Sequence, residues 1–510
     1  MKRVPIRSWI VSAALVLSVQ VAGQVDSVAM RYGAAITQDM LRTHLGVLAS
    51  DAFEGRETGR KGEKMAAAYI MDQFRKDGIP PVPRGLERGL MADGYRQQFP
   101  VVISKPGGIS LNVAGKDAVF MKDYFTFDEQ LAGDLQTGEV MVLNTLTLGG
   151  AKLGGGSKVV LLLDDDKSGN GLMPDLRKVS ETLVKTGTQV VLVATPGAKA
   201  IMEGFGGAIS EGRMRLDVPE RKNQSGGVQV MVVTMDLAES LLHAGGLNVK
   251  KAMKKATRKR LVVKVPVRFT SKPLDEHLTA ENVLGYVEGS DRKGELVVVT
   301  AHYDHVGMKD GEVYNGADDD GSGTVAVLAM AHAFAKAKAE GHGPRRSVLF
   351  MTVSGEEKGL LGSRWYTDHP VFPLDSTVVD LNIDMIGRVD TVHGDSSRFV
   401  YVIGSKRLSS ELGAIVEEQN HLYTKLDLDY TFDADGDPNR FYYRSDHYNF
   451  AKKGIPVAFF FNGVHADYHG PHDEVDRIRF DLLQQRTLLV FHTAWELANR
   501  DRRPVVDGAN

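Results

Sequence analysis

Two helices are predicted near the N-terminal end by apolar residues that recur at spacings of three and four. Thr37 is placed to cap the first helix, whose apolar stripe lies between 40 and 48. A second stripe runs from Met65 to Phe74, and the polar link 54–60 joins the two. This spacing is typical of amphipathic helices that bury one face.

The pattern changes near Pro106. From there to about 265, Gly-rich turns separate short apolar runs of β type at 140–143, 159–163, 190–194 and 228–234. Runs of this length between turn residues indicate strands. We interpret residues 110–268 as a self-contained, β-rich inserted domain.

After Thr279, apolar strands alternate with helical segments. The strands are predicted at 295–300, 347–353, 378–383, 399–403 and 456–461, and the helices at 322–339, 360–367, 409–419 and 482–498. Near-continuous apolar strands joined by helices predict an α/β fold, with a mostly parallel mixed sheet between helices. In such sheets ligands bind outside the carboxyl ends of the strands.

Composition agrees with a globular protein and restricts its chemistry. The 510 residues are 43% apolar and 25% charged, which suits two or three domains at about 150 residues each. The chain has no Cys, so disulfides, thiol nucleophiles and thiolate metal sites are excluded. A metal would have to be held by His and carboxylate side chains.

The first residues have the pattern of a secretory signal peptide. Lys2, Arg3 and Arg7 precede an apolar run at 9–22, and small residues at 21–23 suit cleavage. The alternative, an uncleaved anchor, is disfavoured because a span needs about 20 apolar residues. We therefore expect residues 1–23 to be removed and the protein to be exported to the periplasm or beyond, with no membrane attachment.

Net charge argues against nucleic acid as a partner. Removing residues 1–23, which carry three bases and no acid, takes the net charge from −3 to −6. Nucleic-acid-binding domains are usually basic on one face.

Imidazoles and carboxylates follow the predicted strands at the ends where ligands bind. They stand in the segments His302–His305, Asp318–Asp320, Glu356–Glu357, Asp384 and His465–Asp473. Any one such residue usually has a structural role, but five segments at one rim predict a metal site. Nitrogen and oxygen ligands indicate zinc or a similar divalent ion.

The number of candidate donors favours two ions over one. Paired metals clamp the attacking and leaving oxygens of a hydrolysis. Two Zn²⁺ ions with three carboxylates and one bridging hydroxide would be neutral, and that hydroxide would be the nucleophile.

Several motifs resemble one known family when they are taken together and in order. They are AHYDHVG, NGADDDGSG, GEEKGLLGS, NIDMIGR, RSDHYNFAKKGIP and DYHGPHDEVD, with LASDAFEGRETGRKGEKMAAAYI and TAENVLGYVEGS upstream. The set is similar to the secreted dizinc aminopeptidases, whose relatives include glutamate carboxypeptidase, glutaminyl cyclase and the transferrin receptor. The resemblance covers most of 36–100 and 270–480, and the position of 110–268 resembles that of a protease-associated domain.

The resemblance implies a set of metal ligands. His302 and Asp384 would hold one zinc, Glu357 and His469 the other, and Asp319 would bridge them. Three consecutive aspartates leave Asp318 open as the bridge.

The resemblance also implies roles for neighbouring residues. Glu356 looks like the general base and Tyr468 like the phenol that stabilises the oxyanion. Asp304 and Asp473 would support the ligands. The expected substrate-binding residues are Arg444, Ser445, Asp446 and His447. Three further imidazoles exceed the ligand count and are interpreted as polar loop residues: His305, His465 and His472.

These observations predict a secreted zinc exopeptidase that hydrolyses the N-terminal peptide bond of peptides. The expected order is signal peptide (1–23), first catalytic part (24–109), insert (110–268), catalytic domain (269–500) and tail (501–510). Alternatives are a carboxypeptidase of the glutamate type, a non-catalytic binding protein on the same fold, and a cyclase with one zinc. A serine hydrolase is disfavoured because no Gly-x-Ser-x-Gly elbow follows a strand.

Overall fold

The computed structural model describes residues 24–83, 93–105, 108–126, 133–145, 157–164, 176–218, 228–256, 261–272, 274–395 and 397–508. The predicted signal peptide, 1–23, lies outside the described residues. Within the described ranges, every helix is too short or too polar to cross a membrane.

Helices occur on both sides of residue 110 and throughout the C-terminal half. The described α-helices are α1 (Ser27–Gly33), α2 (Gln38–Leu48), α3 (Lys61–Lys76), α4 (Leu176–Val184), α5 (Ala198–Glu211), α6 (Met235–Ala244), α7 (Val249–Ala256), α8 (Gly323–Ala339), α9 (Leu361–Asp368), α10 (Ser410–Gln419), α11 (His447–Ala451) and α12 (Phe480–Asn499). Short 3₁₀ or π segments lie at Asp51–Arg56, Ala317–Ser322, Leu374–Ser376, Asn420–Thr424, Thr431–Asp433, Phe441–Tyr443 and Val475–Arg477.

The described strands are β1 (Arg96–Lys105), β2 (Ser110–Val113), β3 (Lys116–Ala118), β4 (Tyr124–Phe125), β5 (Gly133–Thr137), β6 (Val140–Asn144), β7 (Val159–Leu163), β8 (Val190–Ala194), β9 (Arg213–Leu216), β10 (Gln229–Val233), β11 (Leu261–Val263), β12 (Val267–Ser271), β13 (Leu274–Val287), β14 (Arg292–His302), β15 (Gly307–Lys309), β16 (Glu312–Tyr314), β17 (Arg346–Val353), β18 (Thr377–Ile383), β19 (Phe399–Ile403), β20 (Asp427–Asp429) and β21 (Val457–Phe461). They form one large sheet, two smaller sheets and a hairpin.

The predicted N-terminal helices are confirmed. Thr37 precedes α2, and its side chain accepts a hydrogen bond from the Met40 N–H, which satisfies a donor at the helix start that has no partner within the helix. Leu41, Leu45 and Leu48 are buried. The apolar stripe of the sequence is therefore the face that packs on the core.

The large sheet has the strand order β20-β19-β21-β18-β14-β17-β13-β1-β9. Its four central strands, β21, β18, β14 and β17, run parallel, whereas β19 and β13 are antiparallel to their neighbours in that group. On one face of the sheet, α8 and α12 form part of an apolar layer in which Phe334 contacts Phe491. The other face packs around Tyr366 and Phe450. The predicted α/β class, with helices on both faces of a mixed sheet, is confirmed.

The segment 110–268 is more mixed than its apolar runs suggested. Its six-stranded sheet has the order β11-β6-β7-β8-β10-β4, in which β6, β7, β8 and β10 are parallel. Parallel strands buried on both faces need helices to cover them, and α4 to α7 belong to this segment. The β-rich description was therefore incomplete.

One strand of that segment returns to the large sheet. β9 pairs antiparallel with β1, with Val101 opposite Leu216 and Ser104 opposite Arg213. The segment is thus joined to the large sheet by backbone hydrogen bonds, which the interpretation as a self-contained insert did not include.

Candidate metal centre

The predicted donors meet because three parallel strands end at the same rim. β14 ends at His302, β18 ends one residue before Asp384, and β17 ends four residues before Glu357. The parallel register places His302 opposite Val353 and Thr300 opposite Asn382. The loops that follow these strands therefore start at one level, where their side chains converge.

Asp319 lies between two pairs of donors. Its Oδ1 is 3.3 Å from His302 Nε2, which is itself 3.6 Å from Asp384 Oδ1. Its Oδ2 is 3.1 Å from His469 Nε2, which is 3.1 Å from Glu357 Oε2. We call His302 and Asp384 the inner pair, and Glu357 and His469 the outer pair. One carboxylate thus faces both pairs, as a bridging ligand would.

The aspartates on either side of Asp319 are occupied by other contacts. Asp318 Oδ1 accepts from the Gly387 N–H, and its Oδ2 lies 3.2 Å from an imidazole nitrogen of His465. Asp320 lies near the inner pair, but both of its oxygens accept backbone N–H groups, including those of His302 and Met385. This geometry favours Asp319 over Asp318 as the bridge.

The donor set fits divalent cations. Asp319 Oδ2 and Glu357 Oε1 are buried without a well-aligned hydrogen bond among the described residues. Burial would raise the pKa of Asp319, but the imidazoles of His302 and His469 hold it well below its ordinary value. Burial would lower the pKa of His469, yet the Asp319 and Glu357 carboxylates raise it to about 10. A cation would replace those imidazole protons as the positive partner of the carboxylates.

Glu356 lies beside the donors but outside both pairs. Burial, followed by the nearby carboxylates of Asp384 and Glu357, raises the pKa of Glu356 well above its ordinary value, against the opposing effect of His302. Its N–H donates to Asp304 Oδ1 at 3.2 Å. It lines a small pocket with Asp384, as a group that exchanges protons with a substrate must.

A family match covers the region that contains these residues. The family model described as "Peptidase family M28" matches residues 282–494. We call these matched residues, which are similar to that family, the M28 region. The M28 region contains both residues of the inner pair, both residues of the outer pair, and Asp319.

Curated relatives match over part of their length. The chain is 30% identical over 243 residues to Aminopeptidase YwaD of Bacillus subtilis (strain 168), covering 44% of this chain and 46% of that protein. It is 30% identical over 148 residues to a probable zinc metalloprotease of Pyrenophora tritici-repentis (strain Pt-1C-BFP), covering 27% of this chain and 29% of that protein. The match thus spans less than half the length of either relative.

A solved structure shares the fold over nearly the whole chain. An aminopeptidase from Aneurinibacillus sp. strain AM-1 superposes with a TM-score of 0.53 at 19% identity, covering 94% of this chain and 98% of that one. The likeness therefore extends beyond the M28 region, into the segments that precede it.

Asp304 and Asp473, which were expected to support the ligands, make their contacts through a backbone carbonyl and a side-chain carboxylate, respectively. His302 Nδ1 lies 3.0 Å from the Asp304 carbonyl oxygen and 3.7 Å from its Oδ1. The carbonyl is thus the nearer partner of the imidazole, and Asp304 Oδ2 accepts from Thr58 instead. Asp473 accepts from the N–H groups of Asp318 and Asp319 at 3.0 Å, which fixes the backbone beneath the bridge.

The expected substrate-binding run divides into two parts. Arg444 and Ser445 line the small pocket, and Ser445 Oγ donates to Asp384 Oδ2 at 2.6 Å. Asp446 and His447 are fully buried: Asp446 accepts from Ser363, and His447 stacks on Phe459. Neither side chain is part of the pocket wall, because Asp446, just before α11, is held by Ser363 and α11 carries His447 into the protein.

The small pocket beside Glu356 has an apolar wall. Phe441, Phe459, Phe461, Val464 and Met385 contribute to it. Tyr468 lines the same pocket and stacks on His469, with ring centroids 3.9 Å apart. Burial and the surrounding carboxylates raise the pKa of Tyr468 far above its ordinary value, so its hydroxyl stays protonated as a donor.

Two of the extra imidazoles contact the donor set of the M28 region. His305 is fully buried, with Nδ1 3.0 Å from Glu357 Oε1, and His465 is buried against Asp318. Interpreting them as polar loop residues was wrong, whereas His472 is exposed. The sequence offers little indication of these contacts, since the position of a His near the end of a strand does not show which way its ring points.

Arg56 is a supporting residue that the sequence did not single out. Its guanidinium is buried and donates to the carbonyls of Leu48, Tyr303, Asn315 and Gly316 at 2.6 to 2.9 Å. It therefore ties together the loop after β14 and the loop that leads to Asp319. The only signal for Arg56 in the sequence was its position inside the motif LASDAFEGRETGRKGEKMAAAYI.

Proposed function

We propose that the protein is a zinc-dependent exopeptidase that removes the N-terminal residue of peptides. The observation that carries this proposal is the Asp319 carboxylate shared between two His–carboxylate pairs, with Glu356 beside them. The names of similar proteins, aminopeptidase and zinc metalloprotease, support the same reaction class.

The donor set accounts for two zinc ions. The inner pair would hold one ion, the outer pair would hold the other, and Asp319 would belong to both. Zinc accepts this mixture of imidazole and carboxylate ligands. When bound, such ions polarise the scissile carbonyl group and lower the pKa of water.

Glu356 is the proposed proton carrier. A water oxygen adds to the peptide carbonyl carbon while the Glu356 carboxylate takes the proton of that water. When the C–N bond breaks, the same carboxyl group gives the proton to the leaving nitrogen, which departs as a neutral amine. The raised pKa of Glu356 suits a group that holds the proton between the two steps.

Tyr468 is the proposed donor to the carbonyl oxygen as negative charge builds on it. The phenol lines the pocket beside Glu356 and Asp319. A donor already in place stabilises the transition state more than the substrate. The stacking of Tyr468 on His469 restricts its ring to that position.

The small pocket is the proposed site of the first residue of the peptide. Its Phe441, Phe459 and Phe461 side chains suit an apolar substrate side chain, since aromatic walls gain most by excluding water. Glu356 lines the same pocket, where its carboxyl oxygens can accept a hydrogen bond from an N-terminal amino group.

The location and remaining partners follow from the sequence and belong to the same proposal. Residues 1–23 would direct export to the periplasm or beyond, where peptides are the substrates and nucleic acid is not a partner. The segment 110–268 would be a protease-associated domain.

A carboxypeptidase of the glutamate type is a second candidate, and one observation favours it. A cavity next to His469 is lined by Arg60, Lys105, Lys309 and Lys358. Basic groups of this kind are what a carboxypeptidase needs to hold the α-carboxylate of its substrate.

A panel of aminoacyl amides, each free and N-acetylated, separates the two candidates. Hydrolysis of the free amides alone supports an aminopeptidase, and activity that survives acetylation rejects it. In the same preparations, Glu356→Gln should retain both zinc ions and lose about 10²–10⁴ in kcat. Glu288→Gln, an exposed control, should change neither. Full activity in Glu356→Gln would refute the mechanism.

A further inference from the structure

A second cavity has His469 in its wall, whereas His469 is not among the residues that line the small pocket. It has a volume of about 560 Å³, within the roughly 300–1,000 Å³ typical of sites for small ligands. Its wall is formed mainly by the polar link 54–60, the β15–β16 hairpin and the junction of β1 with β9, together with Lys358 and His469. The segment 110–268 contributes Gly212 and Met214 at that junction.

The lining of this cavity is basic. Arg60, Lys105, Lys309 and Lys358 contribute to it, against one carboxylate, Glu57. The cavity therefore has an excess of positive charge in a protein whose net charge is negative. A concave surface that carries one sign of charge raises the local concentration of ligands with the opposite charge.

Two of the four cations already have partners. Arg60 forms a two-pronged contact with Glu276, at 2.5 and 2.9 Å, and Lys358 Nζ lies 3.3 Å from Glu57. In the part of the chain that the structure describes, no carboxylate oxygen forms an ion pair of 4.0 Å or less with Lys105 or Lys309. Arg60 and, more weakly, Lys105 lower the pKa of Glu276. Lys105 and Lys309 are thus the groups with charge left for a ligand.

The cavity adjoins the proposed catalytic residues. His469, a member of the outer pair, forms part of its wall, and Lys358 directly follows Glu357. The small pocket lies on the side of Glu356 and Tyr468. A peptide whose first side chain occupies the small pocket would place its scissile bond at the donor set. Its remaining residues would then extend into the basic cavity.

We infer that this cavity binds a carboxylate on the leaving part of the substrate, so that the enzyme prefers short peptides whose negative end reaches Lys105 and Lys309. The inference rests on the proposed function for the position of the scissile bond. It assigns to the segment 110–268 a part in substrate binding, through the strand that returns to the large sheet.

The test compares substrates that differ only in charge. Leu-Gly-Gly is offered as the free acid and as its C-terminal amide, and leucine p-nitroanilide serves as a substrate without a carboxylate. The free acid should have a KM about five- to tenfold below that of the amide, which corresponds to about 1–1.4 kcal/mol of binding free energy. Added salt should reduce the difference.

Lysine substitutions test whether the preference for the free acid comes from this cavity. In Lys105→Gln/Lys309→Gln the preference for the acid should disappear through KM, with kcat and the hydrolysis of leucine p-nitroanilide unchanged. Lys116→Gln, an exposed lysine on β3 outside the cavity, should keep the preference. Leu-Gly-Asp amide compared with Leu-Gly-Asn amide shows whether an acidic side chain can replace the terminal carboxylate.

Failure of this inference and failure of the proposed function give different results. If the wild-type protein cleaves leucine p-nitroanilide but treats acid and amide alike, or if the double variant keeps the preference, the cavity inference is overturned and the proposed function stands. If none of the substrates is cleaved, the proposed function fails. Calorimetric binding of Gly-Gly and its amide to wild-type and double-variant protein then decides the cavity inference alone.

Discussion

The inner and outer pairs of donors share Asp319 but differ in their access to solvent. The His302 side chain is 1% exposed, whereas that of His469 is 39% exposed. His302 Nδ1 contacts the Asp304 carbonyl oxygen, and Asp384 accepts a hydrogen bond from Ser445 Oγ. His469 stacks on Tyr468 at the surface of the site. A metal in the inner pair would therefore be enclosed by fixed partners, and one in the outer pair would have an open side.

The difference separates two tasks that a paired site must perform. Enclosed, oriented ligands favour tight binding, because second-sphere hydrogen bonds keep them in place before the ion arrives. An open side admits substrate.

Removing the shared ligand should have the largest effect. Asp319→Asn is expected to lower kcat/KM by about 10³-fold or more and to reduce zinc content in both pairs, since several kcal/mol of transition-state stabilisation depend on the metals. Zinc per chain and peptide hydrolysis measure this. Asp318→Asn is the matched control and should retain zinc. If Asp318→Asn lost zinc and Asp319→Asn retained it, Asp318 would be the bridging ligand instead.

Substituting the exposed ligand should remove one ion. His469→Ala is expected to bind a single zinc per chain, retained by the inner pair, and to lose about 10²-fold or more in kcat, because one ion of the pair is missing. In the wild-type protein, graded chelation should remove the outer ion first. Simultaneous loss of both ions during chelation would contradict the contrast between the pairs.

A smaller effect is expected behind the inner pair. Ser445→Ala removes the hydroxyl that donates to Asp384, and loss of such a partner typically weakens metal affinity about 10- to 100-fold. Competition with a zinc indicator measures the change. Ser363→Ala removes a comparable buried hydroxyl that donates to Asp446 instead, so its zinc affinity should match the wild type. Equal losses in both variants would show a general packing effect.

The smallest effect is expected at Thr58. Thr58→Val removes the donor to Asp304 Oδ2 and should lower the free energy of unfolding by about 1–3 kcal/mol, the typical result of leaving a buried acceptor unpaired. Chemical denaturation measures it. Thr43→Val, on the exposed side of α2, should change stability by less than about 0.5 kcal/mol. If Thr58→Val altered zinc content as strongly as Ser445→Ala, Thr58 would belong with the partners of the inner pair.

Local patterns predicted most of the secondary structure and the convergence of the donors. Apolar periodicity located α2, α3 and the central strands. The rule that parallel strands share a carboxyl-end rim brought His302, Glu357 and Asp384 together, and the family resemblance added Asp319 as the bridge. Those features depend on residues close in sequence, or on a general property of parallel sheets.

Other features depend on contacts between distant segments. The buried guanidinium of Arg56 is stable only because four carbonyls surround it, and three of them lie about 250 residues away. The orientation of His305 toward Glu357 and the burial of Asp446 and His447 follow from how loops and α11 pack. No periodicity in one segment contains that information. The mixed character of the segment 110–268 was missed because the pattern was taken from its strands alone.

The four carbonyl contacts of Arg56 have a consequence for the order in which the protein matures. Arg56 is separated by 247 to 260 positions from the carbonyl groups of Tyr303, Asn315 and Gly316 that it holds, and His469 and Asp473 lie later still. Contacts of such long sequence separation form slowly and late. During synthesis from the N-terminal end, the donor cluster is incomplete until His469 has been made. Metal loading should therefore be one of the last steps of folding.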